Sequence, residues 1–363
     1  MTFKDDRLKN SRSDGVHKMS EADVRFRDKV TAVQFLLSVG VVYQHTKWHD
    51  FGNLTLNEVH TLLFYLTETC VPFFFMISGY LYFRTYSPQK AVYKVTSRIR
   101  TLMIPYLIWN VVYAIFTICL IKLGFIHNAT IGGGLLRILN AEFGPLWFVK
   151  YLMIFSLISP VTYYLFRKKY LGACSVFVML VMNAIFYHFG IMRIPINVNA
   201  NNIAMINYQY IFFGMGAYGA LNFRKVVETP SWKKTFVAGI VWLALIASYG
   251  IFSMEKSNAL TSHLFRLVYA VALWFALDFV KVFKIQCWMK NSFFLYCSHL
   301  MLLQCLQRVC EIIIGKVRLF QATLYVLEYM FLPVVVVIVL MSLAEFMKKR
   351  IPKTYKVLTG NRG

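Results

Sequence analysis

The sequence predicts an all-α fold, a polytopic membrane protein of about ten transmembrane helices with both termini on the cytoplasmic side (N-in, C-in). Three observations carry this. Of 363 residues, 58% are hydrophobic and only 15% are charged, against roughly 25% charged in a soluble globular chain; mean hydropathy is +0.55. Apolar windows of the ~20 residues a helix needs to cross a hydrocarbon core recur along nearly the whole chain. The cations then fall on one side of those windows. Lys and Arg number 39 against 16 Asp and Glu, a net charge of +23, and 29 of the 39 sit in six short segments that share one side if the N-terminus is cytoplasmic, as the positive-inside rule requires. Cations dispersed over six segments, with no single patch interleaved with aromatics, exclude nucleic acid as the expected partner and leave the lipid bilayer.

Residues 1–29 hold eight basic and six acidic residues and few large apolar ones, and read as a cytoplasmic tail. The membrane domain is expected over 30–347. Its first window, Val30–Lys47, is too long for a signal-peptide core and reads as a retained anchor. His60–Phe83, Arg100–Lys122, Leu146–Phe166 and Tyr170–Gly190 follow, with Arg84–Arg100 and the turn Arg167-Lys168-Lys169 as basic inner segments. Ile203–Phe223, Thr235–Ser253, His263–Phe283, Ser292–Ile314 and Leu324–Met347 complete the set, with Arg224–Lys234 and Lys281–Lys290 as inner loops and 348–363 as a basic cytoplasmic tail. β-barrel strands would instead alternate over segments of about ten residues. The seven cysteines form no CxxC pair and read as packing residues, so no metal site is expected. No nucleotide-binding glycine motif is present, which argues against an ATP-driven pump.

An ionisable side chain at membrane depth is costly unless it is paired or lines a wet cavity, so each one is a candidate for function. Gln34, Ser38 and His45 fall on one stripe of the first helix. Glu68 lies at a depth comparable with His45, and a carboxylate there can orient an imidazole and stabilise its protonated form. His45 could equally be a buried, hydrogen-bonded histidine. Trp147 and Lys150 open the fourth helix, where Trp147 also suits an aromatic belt and Lys150 could snorkel outward. Arg266 lies near the outer end of the eighth helix, and Asp278 near its inner end, where it can snorkel. Tyr296 and His299 stand three apart on the ninth helix; Arg308 and Glu311, farther out, read as an ion pair. Trp, Tyr and Asn side chains near the outer mouth, including the run Asn197–Asn202, suit a sugar ring or a hydroxylic acceptor. Arg84, Arg98 and Arg100 on the inner side suit the phosphates of a cytoplasmic donor. The set fits acyl transfer across the bilayer; it also fits a polar translocation path.

Four stretches resemble the acyltransferase 3 family of ten-helix membrane O-acyltransferases. They are Phe35-Leu36-Leu37-Ser38-Val39-Gly40-Val41-Val42-Tyr43-Gln44-His45, Val71–Leu81 with its Ser78-Gly79-Tyr80-Leu81, Arg98–Tyr106 with Pro105-Tyr106, and Leu146-Trp147-Phe148 followed by Ser159-Pro160; Phe294–His299 adds to the likeness. Their shared order makes the resemblance specific. It implies transfer of an acyl group, most often acetyl from acetyl-CoA on the cytoplasmic side, to a hydroxyl of a cell-surface glycan or lipid-linked saccharide, in the cell inner (plasma) membrane. His45 would be the family's essential histidine, as base or as part of an acyl relay, and Arg98 and Arg100 would meet the donor's phosphates. The family usually carries an arginine eleven positions before that histidine, and here that position is Gln34. Gln supplies no charge, so the role toward the donor moves to Lys29 or is lost, which keeps open a second reading as an exporter of a polysaccharide intermediate on the same scaffold. Some relatives append an outer esterase-like domain; here that step would fall to a separate extracytoplasmic partner protein.

Overall fold

A computed structural model describes residues 20–50, 52, 54–125, 144–189, 203–248, 259–278, 285–317 and 320–361. The run Asn197–Asn202, the first 19 residues, and Lys281 and Lys284 lie outside these. Among the described residues the chain is all-helical, without a strand. The helices are α1 (Glu21–Gln44), α2 (Leu54–Glu68), α3 (Cys70–Arg84), α4 (Ala91–Lys122), α5 (Trp147–Leu157), α6 (Ser159–Phe166), α7 (Lys169–His188), α8 (Ile203–Asn222), α9 (Arg224–Glu228), α10 (Trp232–Ala247), α11 (Ala259–Ala276), α12 (Ser292–Ile314), α13 (Gln321–Arg350) and α14 (Pro352–Thr359). Five helical stretches, or six if the bent pair α5–α6 is counted as one, are long and apolar enough among the described residues to cross a membrane.

Helix boundaries follow local chemistry. α1 begins inside the expected tail because Ser20 caps it, its Oγ accepting from the Asp23 amide at 3.1 Å, with Glu21 and Asp23 in the positive first turn. The expected span His60–Phe83 is two helices, broken at Thr69. Pro72 has no N–H to offer the Glu68 carbonyl and its ring crowds that position, and the Thr69 hydroxyl turns back to the Leu66 carbonyl at 2.6 Å. Pro160 acts likewise at the start of α6, and α5 and α6 meet at Ile158 with a 67° bend. The expected basic tail is also helical: α14 lies across α4 and α12–α13, tied by Trp109 Nε1 to the Leu358 carbonyl at 3.0 Å and by the Tyr355 hydroxyl to Asn291 at 2.8 Å.

The core is one aromatic-rich cluster shared by most helices, with Phe73, Phe75, Phe155, Phe212, Phe213 and Tyr113 nearly inaccessible. Its closest helix pair is α3 and α8. A side chain at Gly79 would run into the Phe213 carbonyl, and one at Gly216 into the Met76 carbonyl, so these two glycines let the backbones touch, the usual means of close packing between membrane helices. That contact fixes α3 behind α1 and so sets the width of the central cavity described next.

Candidate active site

Two ends of the bundle are distinguished here: the basal end, where α1 begins, and the apical end, where it finishes at His45. A cavity of about 660 Å³ enters from the basal end between α1, α3, α4, α5 and α12. One stripe of α1, Arg27, Thr31, Gln34 and Ser38, forms a wall; these residues recur every three or four positions and therefore share a face. Lys94 and Arg98 from α4 and Lys290 from the turn before α12 add cations to the basal half. Lys94 is held in place by bonds to the Tyr82 carbonyl and, at 2.8 Å, the Thr85 hydroxyl. Phe148, Leu152 and Tyr296 line its inner part, and the Phe148 and Tyr296 rings meet edge to face, 5.5 Å apart. The Tyr296 hydroxyl donates to the Pro145 carbonyl, locking α12 to the start of α5.

Apical to this aromatic layer, and outside the cavity lining, stand two histidines. His45 follows Ser38 by seven residues, ~10 Å of helix axis, and His299 follows Tyr296 by three, ~4.5 Å. Their rings lie 5.3 Å apart. His299 is fully buried, and its Nδ1 donates to the Tyr296 carbonyl at 2.8 Å, which leaves Nε2 as the unprotonated nitrogen of the neutral ring. That Nε2 is buried without a hydrogen-bond partner. His45, the C-cap of α1, is crowded by protein on most sides yet accessible. Around the apical mouth Trp48 stacks on His60 at 4.8 Å, Tyr329 meets both rings edge-on at 5.1 and 5.3 Å, and His49 stacks on Tyr325 at 3.9 Å.

The structure thus gathers Gln34, Ser38, Arg98 and Tyr296 around one cavity, with His45 and His299 paired apical to it. Other expected residues lie elsewhere. Glu68 does not meet His45; its Oε2 accepts from Arg266 Nη2 at 2.8 Å in a buried pair, and Arg266 also donates to the Tyr208 hydroxyl. Neither therefore reaches the cavity. Arg84 is held by Asp23 at 2.6 Å and Glu228 at 2.7 Å. Arg100 is exposed and outside the cavity lining. Trp147 is half-buried against Phe75 and Tyr151, and Lys150 is half-buried one turn on. Lys29 lies on the opposite side of α1 from Gln34, bound to Asp278 at 2.5 Å and stacked over Trp274. Asp278 is therefore buried in an ion pair. Arg308 and Glu311 do pair, at 3.0 Å, with Lys47 on the second carboxylate oxygen at 2.6 Å. Arg27, Lys94 and Lys290 were absorbed by the topology reading; what marks Arg27 in the sequence is its place one helical stripe below Gln34 and Ser38.

These features define a helical membrane protein with a basic cavity from one end and a histidine pair reached from the other. A family model described as an acyltransferase domain matches residues 28–344, nearly the whole chain, and the chain belongs to that family, acyltransferase 3. It is an acyltransferase by that membership. No curated protein and no solved structure matches it.

Proposed function

We propose that this membrane acyltransferase takes an acyl group, acetyl in the simplest case, from a cytoplasmic acyl-CoA and transfers it to a hydroxyl of a surface glycan or lipid-linked saccharide. The observation that carries this reading is the His45–His299 pair, 5.3 Å apart, with His299 one helical turn beyond the Tyr296 that lines the basic cavity. With the basal end cytoplasmic, in a ten-span N-in, C-in topology of the inner membrane, Arg27, Arg98 and Lys290 receive the phosphates of the donor. They supply the charge that Gln34 does not, while Gln34 and Ser38 offer neutral hydrogen bonds along the pantetheine arm. The acceptor approaches from the apical mouth, where Trp48, His60 and Tyr329 offer flat faces to a sugar ring.

In the transfer step His45 accepts the proton of the acceptor hydroxyl as its oxygen attacks the thioester carbonyl. The new C–O ester bond forms, the C–S bond breaks, the thiolate leaves with CoA and takes up a proton on the cytoplasmic side, and protonated His45 gives its proton back to solvent at the apical mouth. His299, its Nδ1 fixed on the Tyr296 carbonyl, keeps an unprotonated Nε2 on a ring 5.3 Å from that of His45, able to accept from protonated His45 once the two rings draw together. Glu68 and Arg266 act at a distance, as a brace between α2 and α11.

The test follows labelled acetate into surface glycan in cells carrying wild type, His45→Ala or His299→Ala at equal protein level. Loss of at least ~100-fold is expected, as for removal of a general base. Unchanged labelling in His45→Ala overturns the mechanism.

A further inference from the structure

On the opposite side of α1 from the basic cavity lies a second space, of about 270 Å³, with an almost wholly apolar wall that includes Val30, Met76 and Trp274. It adjoins a shallower apolar groove of about 580 Å³ between α10 and α11. Met215, Val226, Val271 and Phe275 line both spaces, so the two share a wall. The groove opens sideways onto a surface of exposed Val237, Ile240 and Val268, and Trp232 and Phe236 stand 71% and 70% exposed at the first turn of α10. Exposed aromatics at the end of an apolar helix mark the headgroup level. Lys233 and Lys234 form the rim there. Lys234 spends its ammonium on the Val226 and Thr229 carbonyls, fixing the turn from α9 to α10, whereas Lys233 is exposed.

We propose that this groove seats one acyl chain of an anionic phospholipid from the leaflet at the basal side, with its phosphate at Lys233. An interior lined by hydrocarbon alone favours a ligand segment that is itself hydrocarbon. The lateral opening lets a chain enter without leaving the bilayer. The cationic rim at headgroup level selects a negative head. At its deep end the space reaches Phe26 and Val30 on α1 and Leu81 on α3, and Leu81 also lines the basic cavity. A seated chain therefore braces the helix whose other face carries Arg27, Thr31, Gln34 and Ser38. The site stands independently of the acyl-transfer reading.

The test uses the full-length protein in phosphatidylcholine nanodiscs doped with phosphatidylglycerol that carries a diazirine at mid-chain. After irradiation, adducts are mapped by mass spectrometry. Groove residues of α3, α8 and α11 are expected to be labelled several-fold above the exposed face of α13 around Ile338 and Val339. Moving the diazirine to phosphatidylcholine should lower groove labelling about fivefold, the worth of one surface lysine toward an anionic lipid, and leave α13 unchanged. Val271→Trp, which puts bulk into the wall the two spaces share, should remove groove labelling. Lys233→Gln, a surface change that spares packing, should erase the difference between the two headgroups. Groove labelling equal to that of α13 would mean ordinary annular lipid and overturn the site; equal labelling by the two headgroups in the wild type would overturn the anionic assignment.

Discussion

Glu68 and Arg266 stand 198 residues apart and meet at 2.8 Å with side chains only 14% and 6% exposed. Buried ion pairs offset their own desolvation only while both partners are present. Glu68→Gln should therefore cost about 3–5 kcal/mol, the usual penalty for stranding one buried charge, seen as a lower thermal midpoint and lower folded yield, with turnover per folded molecule kept within a few-fold. A collapse of turnover at an unchanged midpoint would instead place Glu68 in the chemistry. A single sequence shows that Glu68 needs a partner but not which one, because the pairing is tertiary, and the same holds for Lys29 with Asp278. Tyr296 and His299 can be read together because a three-residue spacing sets them on one helix face, but the meeting of His299 with His45 is tertiary, and the sequence points to Glu68 as the partner of His45 instead. Arg27, Lys94 and Lys290 were not, since a cation on the cytoplasmic side satisfies the topology rule whether or not it also faces a cavity.

At the scale of elements, α3 and α8 depend on two missing side chains. Gly79→Val would drive a branched side chain into the Phe213 carbonyl, and overpacking of this kind costs about 1–3 kcal/mol or more; loss of folded protein in detergent, measured by size-exclusion chromatography, is the expected outcome. The basal ends of α1, α3 and α9 are joined by Arg84, which donates to Asp23 and Glu228, while the Tyr80 hydroxyl also donates to Glu228 at 2.8 Å. The Arg84 hydrogen bond is the main reason the Asp23 carboxyl titrates below its ordinary range. Partial burial works to raise Glu228, but its bonds to Arg84 and Tyr80 and the nearby positive charge outweigh that and hold it low. Folded-state values below the unfolded ones mean that the clamp contributes fully above the ordinary carboxylate range near pH ~4 and fades as pH falls through the depressed values. The thermal midpoint of the wild type should fall between about pH 5 and about pH 3 more steeply than that of Arg84→Gln; parallel curves would remove the clamp from the stability of the protein. Ser292–Ile314 matches its expected bounds at both ends. The breaks at Thr69 and Ile158 escape a hydropathy window because Pro72 and Pro160 interrupt hydrogen bonding without interrupting apolarity.

For the whole molecule the decisive element is the bent pair. α5 and α6 together hold 19 helical residues, ~28 Å of axis, just enough for a ~30 Å hydrocarbon core if straight, yet they turn through 67° at Ile158. Broken backbone is tolerated at membrane depth where protein buries it, and this break is buried: Ser159 and Thr162 are inaccessible, Ser159 shares a hydrogen bond with the Tyr82 hydroxyl at 3.0 Å, and Thr162 shares one with the Tyr210 hydroxyl at 2.7 Å. The ten-span reading requires the pair to cross, with α5 lining the cavity through Phe148 and Leu152 and α6 carrying the chain to the basic turn at Arg167. A re-entrant pair would instead return the chain to the side it came from and reverse every later segment, placing Arg224, Lys225, Lys233 and Lys234 outside against the charge rule. Reporter fusions decide between these. A fluorescent protein fused after Lys168 should be bright, as in the cytoplasm, while alkaline phosphatase fused after Gly124 should be active, as outside. Both fusions reporting the same side would make α5–α6 a re-entrant loop, and the ten-span topology with its cytoplasmic donor cavity would fall with it.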